Sequence, residues 1–166
     1  MKPRFVIVMG VAGSGKTTVG EALAKRLGWC FYDADGFHPA ENVAKMANGT
    51  PLTDSDRVPW LSALHALIAS SLKENRSGVL ACSALKESYR RQLLDGLEDV
   101  LLVYLKGSYK LIWSRLSLRQ DHYMKPNMLK SQFEAFEEPT NALAFDISLT
   151  VEEIVEGIVM RVAEME

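Results

Sequence analysis

Gly10-Val11-Ala12-Gly13-Ser14-Gly15-Lys16-Thr17 carries the spacing G-x-x-x-x-G-K-[ST], a backbone device for holding phosphates. Its glycines let successive N–H groups turn inward, Lys16 can reach β- and γ-phosphates, and the Thr17 hydroxyl can ligate Mg²⁺. Thr18 extends the set into the first turn of the following helix, where N–H groups point toward an anion. Context supports the motif. Phe5–Met9 reads as a buried strand leading into the loop, and Thr18–Leu27 as an amphipathic helix leaving it.

A phosphate cradle says only that a nucleoside triphosphate binds; the acceptor must be sought elsewhere. Phosphoryl transfer asks for positioning, charge neutralisation and a group that takes the nucleophile's proton. Asp33-Ala34-Asp35-Gly36 offers that group at the end of a second strand, expected to lie beside the first. Two apart on a strand, the carboxylates point the same way. Asp35 is assigned as base for a substrate hydroxyl; Asp33 either holds Mg²⁺ through water or makes a solvated turn. The same residues fit the D-x-x-G of GTPase switches, yet no N-K-x-D run exists to read guanine.

Cations cluster downstream. His38, Asn42 and Lys45 have the spacing of one helix face over Pro39–Asn48. Arg57 is expected where the polar turn Gly49–Asp56 enters a helix from Val58, with Pro59 in its first turn. Its planar guanidinium suits a carboxylate or phosphate, or else pairs with Asp54 or Asp56. Lys86 and Arg90 form a second cationic patch or a solvated helix face, and Ser83 before them contacts substrate or caps the helix. Arg115 and Arg119 sit one turn apart before a polar break ending at Pro126. Arginines carried over a γ-phosphate stabilise transition-state charge and exclude water, so a helical lid is expected over about 115–130, with Arg119 the catalytic arginine.

The elements that must position these groups alternate along the chain. Strands are predicted at Phe5–Met9, Cys30–Asp33, Gly78–Cys82, Val100–Leu105 and Ala144–Ser148. Helices are predicted over about Lys16–Leu27, Pro39–Asn48, Val58–Asn75, Lys86–Gly96, Tyr109–Arg119, Asn127–Phe136 and Val151–Glu164. Such alternation gives an α/β fold: a parallel five-stranded sheet flanked by helices, in one domain over residues 1–166. Ligands in such sheets bind beyond the carboxyl ends of the strands, where the P-loop, the Asp33–Pro39 run and Ser83–Lys86 all fall.

Bulk composition narrows the partners. With 166 residues and 48% hydrophobic content, the chain can bury a proper core. A net charge of −2 gives no general attraction to nucleic acid or an anionic membrane, and no run reaches membrane-spanning length. The apolar run Phe5–Met9 is too short for a secretion leader and passes straight into the glycine loop. Cys30 and Cys82 lack metal-ligand spacing and read as small buried hydrophobes in a reducing, cytoplasmic setting.

Taken together, several short motifs resemble the gluconokinase family. They are Asp35-Gly36-Phe37-His38-Pro39, Asn42, Lys45-Met46, Gly49-Thr50-Pro51-Leu52, Asp54-Ser55-Asp56-Arg57, Pro59-Trp60-Leu61, Cys82-Ser83-Ala84-Leu85-Lys86, Tyr89-Arg90, His122 and Ser131-Gln132-Phe133-Glu134. The resemblance runs from the P-loop to about Pro139. It implies a nucleoside-monophosphate-kinase-like fold with a closing lid, Mg²⁺ and ATP as phosphoryl donor, D-gluconate phosphorylated at its 6-hydroxyl, and a homodimer. By matching position it implies Asp35, His38, Lys45, Arg57, Lys86, Arg90, His122 and Gln132 as substrate ligands. An open-chain sugar acid offers one carboxylate for the cations and many hydroxyls for Asp, His and Gln. Two alternatives stand beside it. A related small-molecule kinase would act on another sugar acid, on a nucleotide, for which no aromatic slot to stack the base is clear near Asp35, or on shikimate, for which Asp-Gly-Gly would be expected after the third strand where this chain has Ser83-Ala84-Leu85. A non-catalytic ATP-binding switch would bind nucleotide without consuming it on a sugar acid.

Overall fold

β1 (Phe5–Met9) is apolar at every position and buried along its whole length, as a strand must be when sheet neighbours flank it and helices cover both faces. The computed structural model, which describes residues 3–118 and 126–165, places it at the sheet centre. It pairs in parallel with β3 (Gly78–Ala81) on one side and β4 (Val100–Lys106) on the other. β2 (Cys30–Asp33) and β5 (Leu143–Asp146) form the edges, giving the order β2-β3-β1-β4-β5. The second strand therefore does not lie beside the first. β3 is buried at all its positions and takes the interior slot, while the half-exposed β2 is suited to the edge.

Side-chain alternation along β1 divides the core in two. Val6 and Val8 join Val19 and Leu23 of α1 (Lys16–Leu27) and Ile154 and Ile158 of α7 (Val151–Glu164). Phe5, Ile7 and Met9 join Trp60, Leu61, Leu64 and Ile68 of α3 (Asp54–Lys73) and Leu93 of α4 (Glu87–Leu94). α5 (Tyr109–Ser117) and α6 (Pro126–Ala135) dock on the first core through Ile112, Leu116 and Leu129. α2 (Ala40–Ala47) spans the gap between the second strand and α3.

Predicted and observed elements agree within a few residues, with one instructive exception. α3 begins at Asp54 rather than Val58. Thr53 Oγ1 accepts from the Asp56 N–H at 3.1 Å, and the Asp56 carboxylate accepts from the Thr53 N–H at 2.9 Å, a reciprocal capping box. Pro59 consequently sits inside the helix, and Arg57 belongs to its first turns rather than to a loop junction. Burial of Trp60, Leu61, Leu64 and Ile68, at roughly 2 kcal/mol each, outweighs a proline cost of about 3 kcal/mol.

Cys82 is buried as expected, but Cys30 opens an edge strand and is exposed. Of the expected lid, residues 119–125 lie outside the described residues; its described flanks are the end of α5 and the start of α6. Among the described residues no helix is long and apolar enough to cross a membrane.

Candidate active site

At the carboxyl ends of β1 and β3 the P-loop borders a cavity of about 420 Å³. Ala12, Gly13, Gly15, Lys16, Thr17 and Thr18 line one wall; Asp33, Asp35, Met46, Ala81, Cys82, Ser83 and Gln132 complete it. Gly10, Val11 and Ser14 belong to the loop but pack behind this wall, buried. Gly13 has φ +80°, and a Cβ there would stand 2.7 Å from Leu116 Cγ, so the loop crest fits against α5 only as glycine. Gly15, at φ +96°, begins α1 with no side-chain cap, and a Cβ added there would meet nothing within 4 Å. Open first-turn N–H groups facing free space fit a phosphate.

Lys16 Nζ donates to the Val11 carbonyl at 3.0 Å. Burial pushes its pKa down, while Asp35 and Asp33 pull it back up. An ammonium short of solvent, in the field of two carboxylates and bonded to the Val11 carbonyl, suits pairing with phosphate oxygens. Burial also pushes the Cys82 thiol up to about 12, so it stays neutral and acts as a wall, not a nucleophile.

The two carboxylates converge on the cavity by a different route from strand alternation. The strand stops at Asp33, whose Oδ1 accepts from the Asp35 N–H at 3.0 Å and caps a 3₁₀ turn, Ala34–Phe37. Trp60 Nε1 donates to the Ala34 carbonyl at 2.7 Å, fixing that turn to α3. Asp35 is thus held from both sides of its peptide backbone, with its carboxylate exposed to the cavity.

Beyond Asp35 lies a polar tier built by α2, α3 and α4. His38 stacks on Trp60 at 4.4 Å between ring centroids. Asn42 Nδ2 donates to the Asp56 carbonyl at 2.8 Å and lies 3.2 Å from His38 Nδ1. That amide donates, so Nδ1 accepts and the proton belongs on Nε2. Burial lowers the His38 pKa, with Arg57 adding to the effect against the opposing pull of Asp35, which fits a neutral ring. Lys45 pairs with Asp56 at 2.8 Å and Lys86 with Asp54 at 3.1 Å. Arg57 takes neutral partners, the Leu52 carbonyl at 2.8 Å and the Tyr89 hydroxyl at 3.3 Å, with its guanidinium 5.5 Å from the Tyr89 ring centroid.

This geometry can be set against known proteins. The shikimate kinase family model matches residues 12–161. Gluconokinase from Gluconobacter oxydans is 46% identical over 84% of this chain and 78% of that one. The thermoresistant gluconokinase of Escherichia coli is 42% identical over 90% of this chain and 87% of its own. A gluconokinase structure from Sinorhizobium meliloti superposes with TM-score 0.84 at 39% identity, covering 98% of this chain and 93% of that one. The chain belongs to the gluconokinase family. Its P-loop kinase fold is that family's fold, and the shikimate kinase match reflects the wider architecture.

The resemblance to gluconokinases named eight substrate-ligand positions, and the structure distributes them unequally. Asp35 and Gln132 line the cavity; His38, Lys45, Arg57 and Lys86 form the adjoining tier. Arg90 joins neither. It is 2% exposed, donates to the Ala84 and Glu137 carbonyls at 2.7 Å each, and pairs with Glu87, so it fastens the start of α4 to the segment after α6. The cationic patch expected of Lys86 and Arg90 together is not formed. Arg115 donates to the Ile147 carbonyl, beside the end of β5. Arg119 and His122 lie outside the described residues. Tyr89 is the residue that sequence reasoning undervalued: it contacts Arg57, Lys86 and Asp54 at once. Its place in the helical register between Lys86 and Arg90 was the available signal.

Proposed function

We propose that this gluconokinase-family protein phosphorylates D-gluconate at its 6-hydroxyl with ATP. The observation that carries the proposal is the shared cavity of Lys16, the open N-terminus of α1 and Asp35. The backbone N–H groups of Gly13, Gly15, Lys16 and Thr17, with the Lys16 ammonium, would hold the triphosphate; Thr17, and Asp33 through water, would hold Mg²⁺. When bound, ATP and Mg²⁺ supply the phosphoryl group and neutralise part of its charge. Asp35 would take the proton of the acceptor hydroxyl as that oxygen bonds the γ-phosphorus and the β–γ bridging oxygen leaves with ADP.

The neighbouring tier suits the rest of an open-chain sugar acid. Lys45 and Lys86 already hold carboxylates, so Arg57 is the cation best placed to receive the carboxylate of the substrate. His38, with its proton on Nε2, offers a hydroxyl one donor. Arg119 is proposed as the lid arginine that neutralises transition-state charge. The family resemblance also supports a homodimer, and the two free cysteines suit a cytoplasmic protein.

Coupled ADP release measured with gluconate, idonate, shikimate and nucleoside monophosphates tests the assignment. Turnover dependent on gluconate, with a 6-phosphate product by ³¹P NMR, is expected. Turnover on shikimate would favour the wider-family alternative, and no acceptor dependence with any sugar acid would favour a non-catalytic switch.

A further inference from the structure

The resemblance counts Gln132 among the sugar-acid ligands, but its geometry addresses the phosphate loop. Gln132 Oε1 accepts from the Ala12 N–H at 2.7 Å, a short contact for an amide pair. The donor identity fixes the amide orientation: oxygen faces the loop and Nε2 is left to donate elsewhere. The carbonyl end of the same peptide unit, Val11 O, accepts from Lys16 Nζ at 3.0 Å and from the Ser14 N–H at 3.2 Å. One peptide plane is therefore gripped at both ends, by Gln132 on its N–H and by Lys16 on its C=O. A rotation of that plane would remove both bonds together. Gln132 is itself firmly placed, since Leu129 is fully buried in the core and Phe133 packs against that core and Tyr109.

We propose that Gln132 is a positioning residue of the P-loop, holding the Val11–Ala12 peptide in the orientation from which the Val11 carbonyl stations the Lys16 ammonium. The role rests on the nucleotide-binding reading of this cavity and deepens it. A group that fixes loop geometry acts on nucleotide affinity, whereas a group that recognises the sugar acid acts on the acceptor.

The test uses the full chain with the variants Gln132→Leu, which removes the acceptor, and Gln132→Glu, which keeps an oxygen at the same reach. In nucleotide-free protein, Gln132→Leu should speed hydrogen exchange of the Ala12 amide about tenfold, and Gln132→Glu should restore the protection. The Kd for an unreactive ATP analogue should rise about tenfold in Gln132→Leu, with the gluconate KM held within about twofold. Unchanged thermal midpoints for both variants confirm that α6 stays docked. Three results overturn the proposal: an Ala12 amide that stays protected, faster exchange with analogue affinity unmoved, or a raised gluconate KM at constant analogue affinity. Should the wild type fail to turn over gluconate, the substrate assignment falls, while the amide and analogue measurements still decide the role of Gln132.

Discussion

Single residues in this chain owe their chemistry to where the backbone puts them. Cys30 and Cys82 make the contrast plain. One begins an exposed edge strand, the other is buried at the end of β3 with its thiol pushed up to about 12. Iodoacetamide at pH 8, followed by peptide mass spectrometry, should therefore label Cys30 and spare Cys82, with kinase activity retained. Labelling of Cys82 in the folded protein would show that the cavity wall opens to solvent. The sequence treated both cysteines alike because an apolar neighbourhood in the chain does not reveal which strand becomes an edge. The P-loop, by contrast, was legible to the residue, since phosphate binding there depends on backbone geometry and few residue types permit it. The place of Asp35 on the cavity was legible too, but the Asp33 cap and the Trp60 indole put it there, not strand alternation.

At the scale of elements, α2 and α3 are joined by Asp56, which completes the capping box and also receives Lys45. The Lys45 hydrogen bond first, then the Thr53 N–H and hydroxyl, hold its pKa at about 2 against an ordinary 3.8. A carboxylate depressed in the folded state contributes stability above its unfolded pKa and loses that contribution as pH falls through the folded value. Asp56→Asn should thus melt below wild type at pH 7, with the gap closing between about pH 3.8 and about pH 2. A gap independent of pH in thermal melts would mean that packing, not charge, is what the substitution disturbs. The start of α3 was readable in principle, because Thr53-Asp54-Ser55-Asp56 has capping-box spacing. Pro59 obscured it, as proline usually marks a first turn and here is tolerated inside the helix by the buried residues that follow.

Across the whole molecule, sheet type and helix placement followed from alternation, but strand order did not: nothing local says that β3 must separate β2 from β1. Long-range ties were equally hidden. Arg90 links the Ala84 and Glu137 carbonyls, 53 residues apart in number, from a buried position. Arg90→Ala should destabilise the protein by roughly 3 kcal/mol in urea unfolding, leaving the gluconate KM of the folded enzyme nearly unchanged. A large rise in KM with stability intact would return Arg90 to the substrate site. The proposed catalysis brings an alcohol, a base and a terminal phosphate into one cavity, and Asp35→Asn removes the base alone. With the carboxylate replaced by its isosteric amide, kcat for gluconate should drop about 10²–10⁴-fold while an unreactive ATP analogue binds with wild-type affinity. Near-normal turnover by Asp35→Asn would show that Asp35 is not the base.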